Sequence, residues 1–439
     1  MTRAVLVALA TILATMGSPV SPAAAADPTA RRAAVIRHVL PNGMTLLVRE
    51  SGGAAVVAAS FMVRTGSRDE TADTAGITNF LHRVLVRGTS QRTARQLAEA
   101  AEDIGGSLDA SGEVEYAEVR GTALSRHAEA LLELMADVAL SGALPAEEVE
   151  RERRLISSQI QTRADTPFPL AFDTLLADLY GPHPFARPAL GRRESIARLT
   201  REDLLMRYRS LYRGDRLVLA VSGQVTAERM RRAAERLFSR LPGPGAAPRP
   251  AIADPVPTGE RRVIERQAQQ AQILVGFLGP GVGERDYAAT RVLGAVLGGG
   301  MSGRLFVELR DNEGLAYSLG VTSPTRSRHT FLVAYLGTAR ENVQAAEAGL
   351  LRELEKAKSG VIGDAELARA KAYVLGSLAM DRRSNARYAW YLAFFEAIGA
   401  GWDFPERYVR AVAAVTGADV QAAGAKYLTR PTRVVLIPR

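Results

Sequence analysis

Three segments recur in the same order on either side of the middle of this 439-residue chain, and no other feature constrains its fold as much. Leu199-Thr200-Arg201-Glu202-Asp203 lies 216 residues before Val415-Thr416-Gly417-Ala418-Asp419, and the same offset sets Val218-Leu219-Ala220-Val221 on Val434-Val435-Leu436-Ile437. An offset of 218 sets Pro145-Ala146-Glu147-Glu148-Val149 on Gly363-Asp364-Ala365-Glu366-Leu367. Each copy predicts a long helix with an acidic first turn, then a capped helix, then a short buried strand. Between the copies runs LPGPGAAPRPAIADPVPTGE, residues 241–260, whose Pro and Gly content predicts a semi-rigid extended spacer. Single matches are cheap, but three in one order argue for a duplicated domain. The expected organisation is an N-terminal domain over 33–240 and a C-terminal domain over 261–439.

Each half mixes strands with helices. In the first half, Thr45–Val48, Val56–Val63 and Gly112–Leu124 read as strands, with helices over 76–86, 94–104, 126–140 and 146–163. In the second half, strands are expected over 273–278, 317–322 and 330–337, with helices over 287–297, 303–310 and from Ala339 onward. Grouped strands with helices to one side predict an α+β class rather than alternating parallel βαβ units.

The composition narrows the chemistry. There is no Cys, which excludes thiol catalysis and Cys-based metal sites, and the five His are scattered at 38, 82, 127, 183 and 329. The formal charge is +9, but 52 of the 56 cations are Arg, with no run of five or six basic residues and no basic stretch interleaved with aromatics. This pattern argues against nucleic-acid binding. Residues 1–26 predict a cleavable export signal: Arg3, an uncharged apolar run over Ala4–Met16, and small residues ending in Ala24-Ala25-Ala26. The run is shorter than the ~20 residues that span a bilayer. An uncleaved anchor is the rival reading. No later stretch is long and apolar enough to cross a membrane, so the expected location is periplasmic or secreted.

Residues 76–89 read GITNFLHRVLVRGT. Here the chain resembles the insulinase/pitrilysin family of zinc peptidases, whose helix runs approximately Gly-Leu-x-His-Phe-Leu-Glu-His-x-Leu-x-x-Gly-Thr. Gly76, Phe80, Leu81, Leu85, Gly88 and Thr89 match without a gap, and the resemblance extends from about Val35 to the C-terminus. It implies two homologous ferredoxin-like, peptidase-type α+β domains, each a mainly antiparallel sheet with helices packed on it. It also implies a metal site: two His at i and i+4, a Glu base at i+3, and a distant Glu ligand. Those places hold Asn79, Arg83, His82 and Gln159. A guanidinium has no lone pair to give and repels Zn²⁺. No zinc is therefore expected in this chain, and His82 is expected to be a helix residue paired with a neighbouring carboxylate.

In the second half, GGMSGRLFVELRDNEGLAYSLGVT (299–322) resembles the family's other functional segment. The resemblance makes Arg310 and Tyr317 the pair that binds the substrate carbonyl, where hydrolysis builds negative charge. A third segment, Gly105-Gly106-Ser107-Leu108-Asp109-Ala110, is similar to the family's strand-docking region, with Asp109 where an Asn is usual, beside Ala110. Chains of this length hold half of the family's chamber, so two must close around a peptide, and some members divide the zinc helix and the Arg/Tyr pair between partners. The leading expectation is a non-catalytic, activity-completing subunit of a heterodimeric exported zinc peptidase, with the zinc in a paralogous partner. The alternative is a homodimeric peptide-binding or scaffold protein with no proteolytic role.

Overall fold

A computed structural model describes residues 34–245 and 252–439. The proposed export signal and the middle of the spacer lie outside the described residues. Six strands build the first sheet: β1 (Val35–Val39), β2 (Thr45–Glu50), β3 (Val56–Val63), β4 (Ser107–Gly112), β5 (Ala117–Leu124) and β6 (Leu217–Gly223), in the order β1-β2-β6-β3-β5-β4. Five build the second: β7 (Arg261–Arg266), β8 (Ala271–Gly279), β9 (Ser318–Thr322), β10 (Thr330–Thr338) and β11 (Thr432–Pro438), in the order β7-β11-β8-β10-β9. In both sheets one parallel pair (β2 with β6, β7 with β11) is followed by three antiparallel ones. The second sheet thus reproduces β2-β6-β3-β5-β4 strand for strand, and the α+β class is as expected.

Several boundaries differ from the sequence reading. The stretch read as one strand over 112–124 holds the last residue of β4, a tight turn in which the Glu113 amide bonds to the Tyr116 carbonyl at 2.8 Å, and β5, which pairs back on β4. The short strands β1 and β7 carry exposed, charged residues with no periodicity to announce them. The helix expected over 303–310 is a wider π-helical stretch, Phe306–Asn312.

The central strands are buried on both faces, and their alternation shows what covers each face. Val57, Ala59, Phe61 and Val63 of β3, with Leu217, Leu219 and Val221 of β6, join a core with the helices of the first half. The opposite face of this sheet, with Met62, Val218 and Ala220, packs on the helix Asn385–Ala397, which comes from the second half. The exchange is mutual. The helix Pro167–Tyr180 of the first half covers the outer face of the second sheet, where Leu175 and Leu179 meet Leu274, Val333 and Val434. Gly276 leaves room for this contact: a Cβ there would lie 3.0 Å from a methyl of Leu175.

Because each sheet borrows its cover, the two halves are expected to unfold together. Urea denaturation followed by far-UV circular dichroism and by fluorescence of Trp390 and Trp402 should give one coincident transition, and two separated transitions would contradict the exchange. Leu175→Ala should lower the unfolding free energy by about 2–5 kcal/mol and move both signals equally.

Candidate functional site

The helix Ile77–Leu85 is placed by its first turn. Glu70, buried, accepts from the amides of Gly76 at 2.7 Å and Thr78 at 2.9 Å, which satisfies donors that the helix leaves unpaired. Burial pushes the Glu70 carboxyl above the usual carboxylate range, and these amides oppose that shift. Gly76 has φ +90°, and a Cβ on it would lie 2.7 Å from the Gly191 backbone. Only glycine fits this crossing. Phe80, Leu81, Val84 and Leu85 turn into the core, leaving Asn79 and Arg83 on the other side.

Both side chains bond to neighbouring groups of the first half. Asn79 donates to the Gly112 carbonyl at the end of β4, at 3.0 Å, while its Oδ1 is buried without a partner. Arg83 donates through Nε to Glu152 at 2.9 Å and through a terminal nitrogen to Gln159 at 2.6 Å. Arg87, one turn on, donates to the other Glu152 oxygen at 3.0 Å. The fold therefore brings Arg83 and Gln159 together across 76 residues. The fully buried Glu152 carboxylate is held between two guanidiniums. Glu152 escaped the sequence reading, although it lies seven residues before Gln159 and so about two turns away on the same helix face.

His82 lies elsewhere. Its ring is fully buried, stacked on Tyr212 with centroids 6.0 Å apart, and its Nδ1 donates to the Thr78 carbonyl at 2.8 Å. Among the described residues no carboxylate pairs with it, contrary to the expectation: the ring is shut into the core, where the carbonyl one turn back accepts from Nδ1 and Nε2 is buried without a partner. Burial pushes the His82 pKa down to about 4, with Arg207 adding to the shift and the Thr78 carbonyl opposing it.

This residue set does not fit a zinc ion. The Arg83 guanidinium has no lone pair, the Gln159 amide oxygen already accepts from it, and the one imidazole is turned into the core. Among the described residues, no three His, Asp or Glu side chains converge as a metal cluster would.

In the second half, the buried Leu305 and Leu309 anchor the segment that carries Arg310. The chain then reverses at Gly314, with φ +62°, and returns as Tyr317 just ahead of β9. The Arg310 guanidinium lies 4.4 Å from the Phe306 ring centroid and 5.2 Å from that of Tyr317. Among the described residues no carboxylate pairs with Arg310, and Tyr317 is 79% exposed. The fold thus brings Arg310 and Tyr317 side by side, with no hydrogen bond from either side chain to another among the described residues. It brings neither into contact with Asn79, His82, Arg83 or Gln159. Asp109 and Ala110 lie on β4, the last strand of its sheet, where Asp109 accepts from Arg120 of the neighbouring strand and Ala110 is buried.

Two measurements follow. Glu152→Ala should cost about 3–5 kcal/mol in chemical denaturation, because it strands Arg83 in a largely dry site, whereas Gln159→Ala should cost under about 1 kcal/mol. The depressed His82 pKa has a defined sign: the unfolded chain binds a proton below about 6.5 that the native chain refuses until about pH 4. Native stability is therefore complete above pH 6.5 and falls as pH drops toward 4, by up to about 3 kcal/mol from this group. In His82→Phe that part of the slope should vanish, and an unchanged slope would exclude His82 as its source.

The comparisons agree with this architecture. The family description Insulinase (Peptidase family M16) matches residues 46–193, and Peptidase M16 inactive domain matches residues 198–374. An uncharacterized zinc protease of Mycobacterium bovis is 30% identical over 94% of this chain and 93% of its own length. One from Bacillus subtilis is 29% identical over 80% and 85%. The crystal structure of a peptidase M16 inactive domain from Pseudomonas fluorescens superposes with a TM-score of 0.84, covering 92% of this chain and 98% of that one at 22% identity. With the duplicated sheet and the helix frame Gly76–Thr89 in place, this chain belongs to the insulinase family, peptidase family M16.

Proposed function

We propose that this chain is a non-catalytic, activity-completing subunit of an exported, heterodimeric zinc metallopeptidase. Its own zinc place binds no metal, and Arg310 with Tyr317 serves the substrate carbonyl at the zinc site of a paralogous partner. The observation that carries the reading is an asymmetry. At the helix Ile77–Leu85, Asn79 bonds to the Gly112 carbonyl, Arg83 is spent on Glu152 and Gln159, and His82 is buried, whereas Arg310 and the largely exposed Tyr317 stand in contact with each other, with no carboxylate among the described residues taking their donors.

The chemistry is that of an oxyanion cradle. As water adds to a scissile peptide carbonyl, charge collects on its oxygen, and a guanidinium and a phenol placed before the reaction can both donate to it. The Phe306 ring beneath the guanidinium limits its rotamers without consuming its N–H groups. Peptide docking draws on β4, an edge strand whose outer side can accept a further strand, with Asp109 and Ala110 on it. Export rests on the apolar run and the Ala-rich segment of residues 1–26.

The test is to purify the chain alone and together with a zinc-bearing paralogue, and to assay cleavage of an extended peptide. The chain alone should be inactive and the pair active. Arg310→Ala or Tyr317→Phe in the pair should lower kcat by about 10²–10³. Equal activity of the partner with and without this chain, or full activity of either variant pair, would falsify the proposal.

A further inference from the structure

The second half carries a cavity of about 460 Å³ between the helices Tyr287–Gly298 and Asp364–Asp381, beside the edge strand β9. Its place in the repeat is well defined. Met62 pairs with Val218 and Leu274 pairs with Val434, so the 216-residue offset that aligns Val218 with Val434 aligns Met62 with Leu274, at an offset of 212. Carried along the helix, the same offset sets the buried Phe80, Leu81, Val84 and Leu85 on the buried Val292, Leu293, Val296 and Leu297. It sets Asn79 on Arg291 and Arg83 on Ala295. The offset of 218 for the following long helix sets Gln159 on Ser377. Arg291, Ala295 and Ser377 all line the cavity. The second half thus repeats the frame of the first, but where the first is plugged by the Arg83 side chain, the second has an Ala methyl and open space.

The wall chemistry points to an anion. Arg291 donates to the Ser323 backbone carbonyl, and among the described residues no carboxylate pairs with it. The one acid in the wall, Asp381, is already compensated by Arg387 at 2.6 Å and the Tyr391 hydroxyl at 2.8 Å. The Tyr408 hydroxyl, buried in the same wall, faces the Arg291 guanidinium and keeps its own proton to donate, and the Ser323 hydroxyl is buried there without a partner among the described residues. A largely buried guanidinium without a counter-ion, beside a phenol with its proton to give, an unpartnered Ser323 hydroxyl and several aromatic rings, lacks a group that accepts hydrogen bonds and carries negative charge on an apolar body.

We propose that this cavity is a carboxylate-binding site, in which Arg291 receives the carboxylate, the Tyr408 and Ser323 hydroxyls donate to it, and the aromatic walls take the attached apolar group. The carboxylate is either the free C-terminus of a peptide or that of a small organic acid. The site shares no residue with Arg310 and Tyr317, and its test needs no partner, so either proposal can fail alone.

The purified chain is titrated calorimetrically with N-acetyl-Ala-Ala-Phe, with its C-terminal amide, and with hippurate. The acid should bind and the amide should bind about tenfold or more weakly. Arg291→Ala should abolish binding and Arg291→Lys should retain part of it. Ala295→Leu, which fills the cavity and leaves Arg291 in place, should also abolish it, and this variant carries the test should Arg291→Ala fail to fold. Hippurate binding as well as the peptide acid identifies a small organic acid as sufficient, and binding of the peptide acid alone identifies a peptide C-terminus. Absence of binding by all three probes, equal binding of acid and amide, or undiminished binding by the folded Arg291→Ala or Ala295→Leu chain would overturn the site.

Discussion

Everything in this molecule depends on an exchange of cover between its two sheets. A sheet buried on both faces needs two layers of apolar partners, and each half supplies enough helices for only one face of its own sheet. The helix Asn385–Ala397 closes the first sheet and Pro167–Tyr180 closes the second, so the seam between halves is a core shared by both. Polar contacts add direction to it: Arg68 and Ser327 both bond to Glu115, and the Tyr180 hydroxyl donates to the His329 carbonyl at 2.5 Å. Arg326, buried without a carboxylate partner among the described residues, lies over the rings of Tyr180, Phe185 and Phe331. Apolar burial holds the halves together, and these groups select one arrangement of them.

The exchange explains which parts of the fold could be read in advance. Central strands such as Val56–Val63 and the Val218-Leu219-Ala220-Val221 run were legible because a strand buried on both faces is a nearly continuous apolar run. The repeat was legible because capped helices and such strands recur at fixed offsets. The identity of the covering layer was not. Pro167–Tyr180 is apolar enough to demand burial, but nothing local says that its partner lies a hundred residues away in the other half. Three of the four edge strands, β1, β4 and β7, were lost for the opposite reason. Residues of β1, β4 and β7 face solvent in large part, so their composition carries no period, and the apparent strand over 112–124 takes in only the last residue of β4.

At the candidate site, the identities of Asn79, His82, Arg83 and Gln159 were legible, but their partners were not. That Arg83 carries a charge follows from its type. That Glu152 receives this charge, sharing it with Arg87, follows from how the helix Ala146–Asp165 is laid against Ile77–Leu85. A buried carboxylate between two guanidiniums is costly to desolvate and costlier to break, so this group fixes the two helices to each other. The two halves illustrate how freely such a frame can be refilled: the same apolar stripe supports a plugged cleft around Arg83 and an open one beside Ala295.

His82 shows why residue type alone is a poor guide to chemistry on this frame. An imidazole is the side chain best suited to accept a proton near neutral pH. Its position in the fold removes that capacity. The ring is shut into the core against Tyr212, its Nδ1–H is spent on the Thr78 carbonyl, and burial lowers its affinity for a proton. A base must reach both water and substrate, and His82 reaches neither. Arg310 and Tyr317 are less distinctive as residue types, yet Tyr317 is open to solvent and, among the described residues, no carboxylate takes their donors. Access and uncommitted hydrogen bonds, rather than the intrinsic reactivity of the side chain, decide which groups on such a frame are open to a further partner.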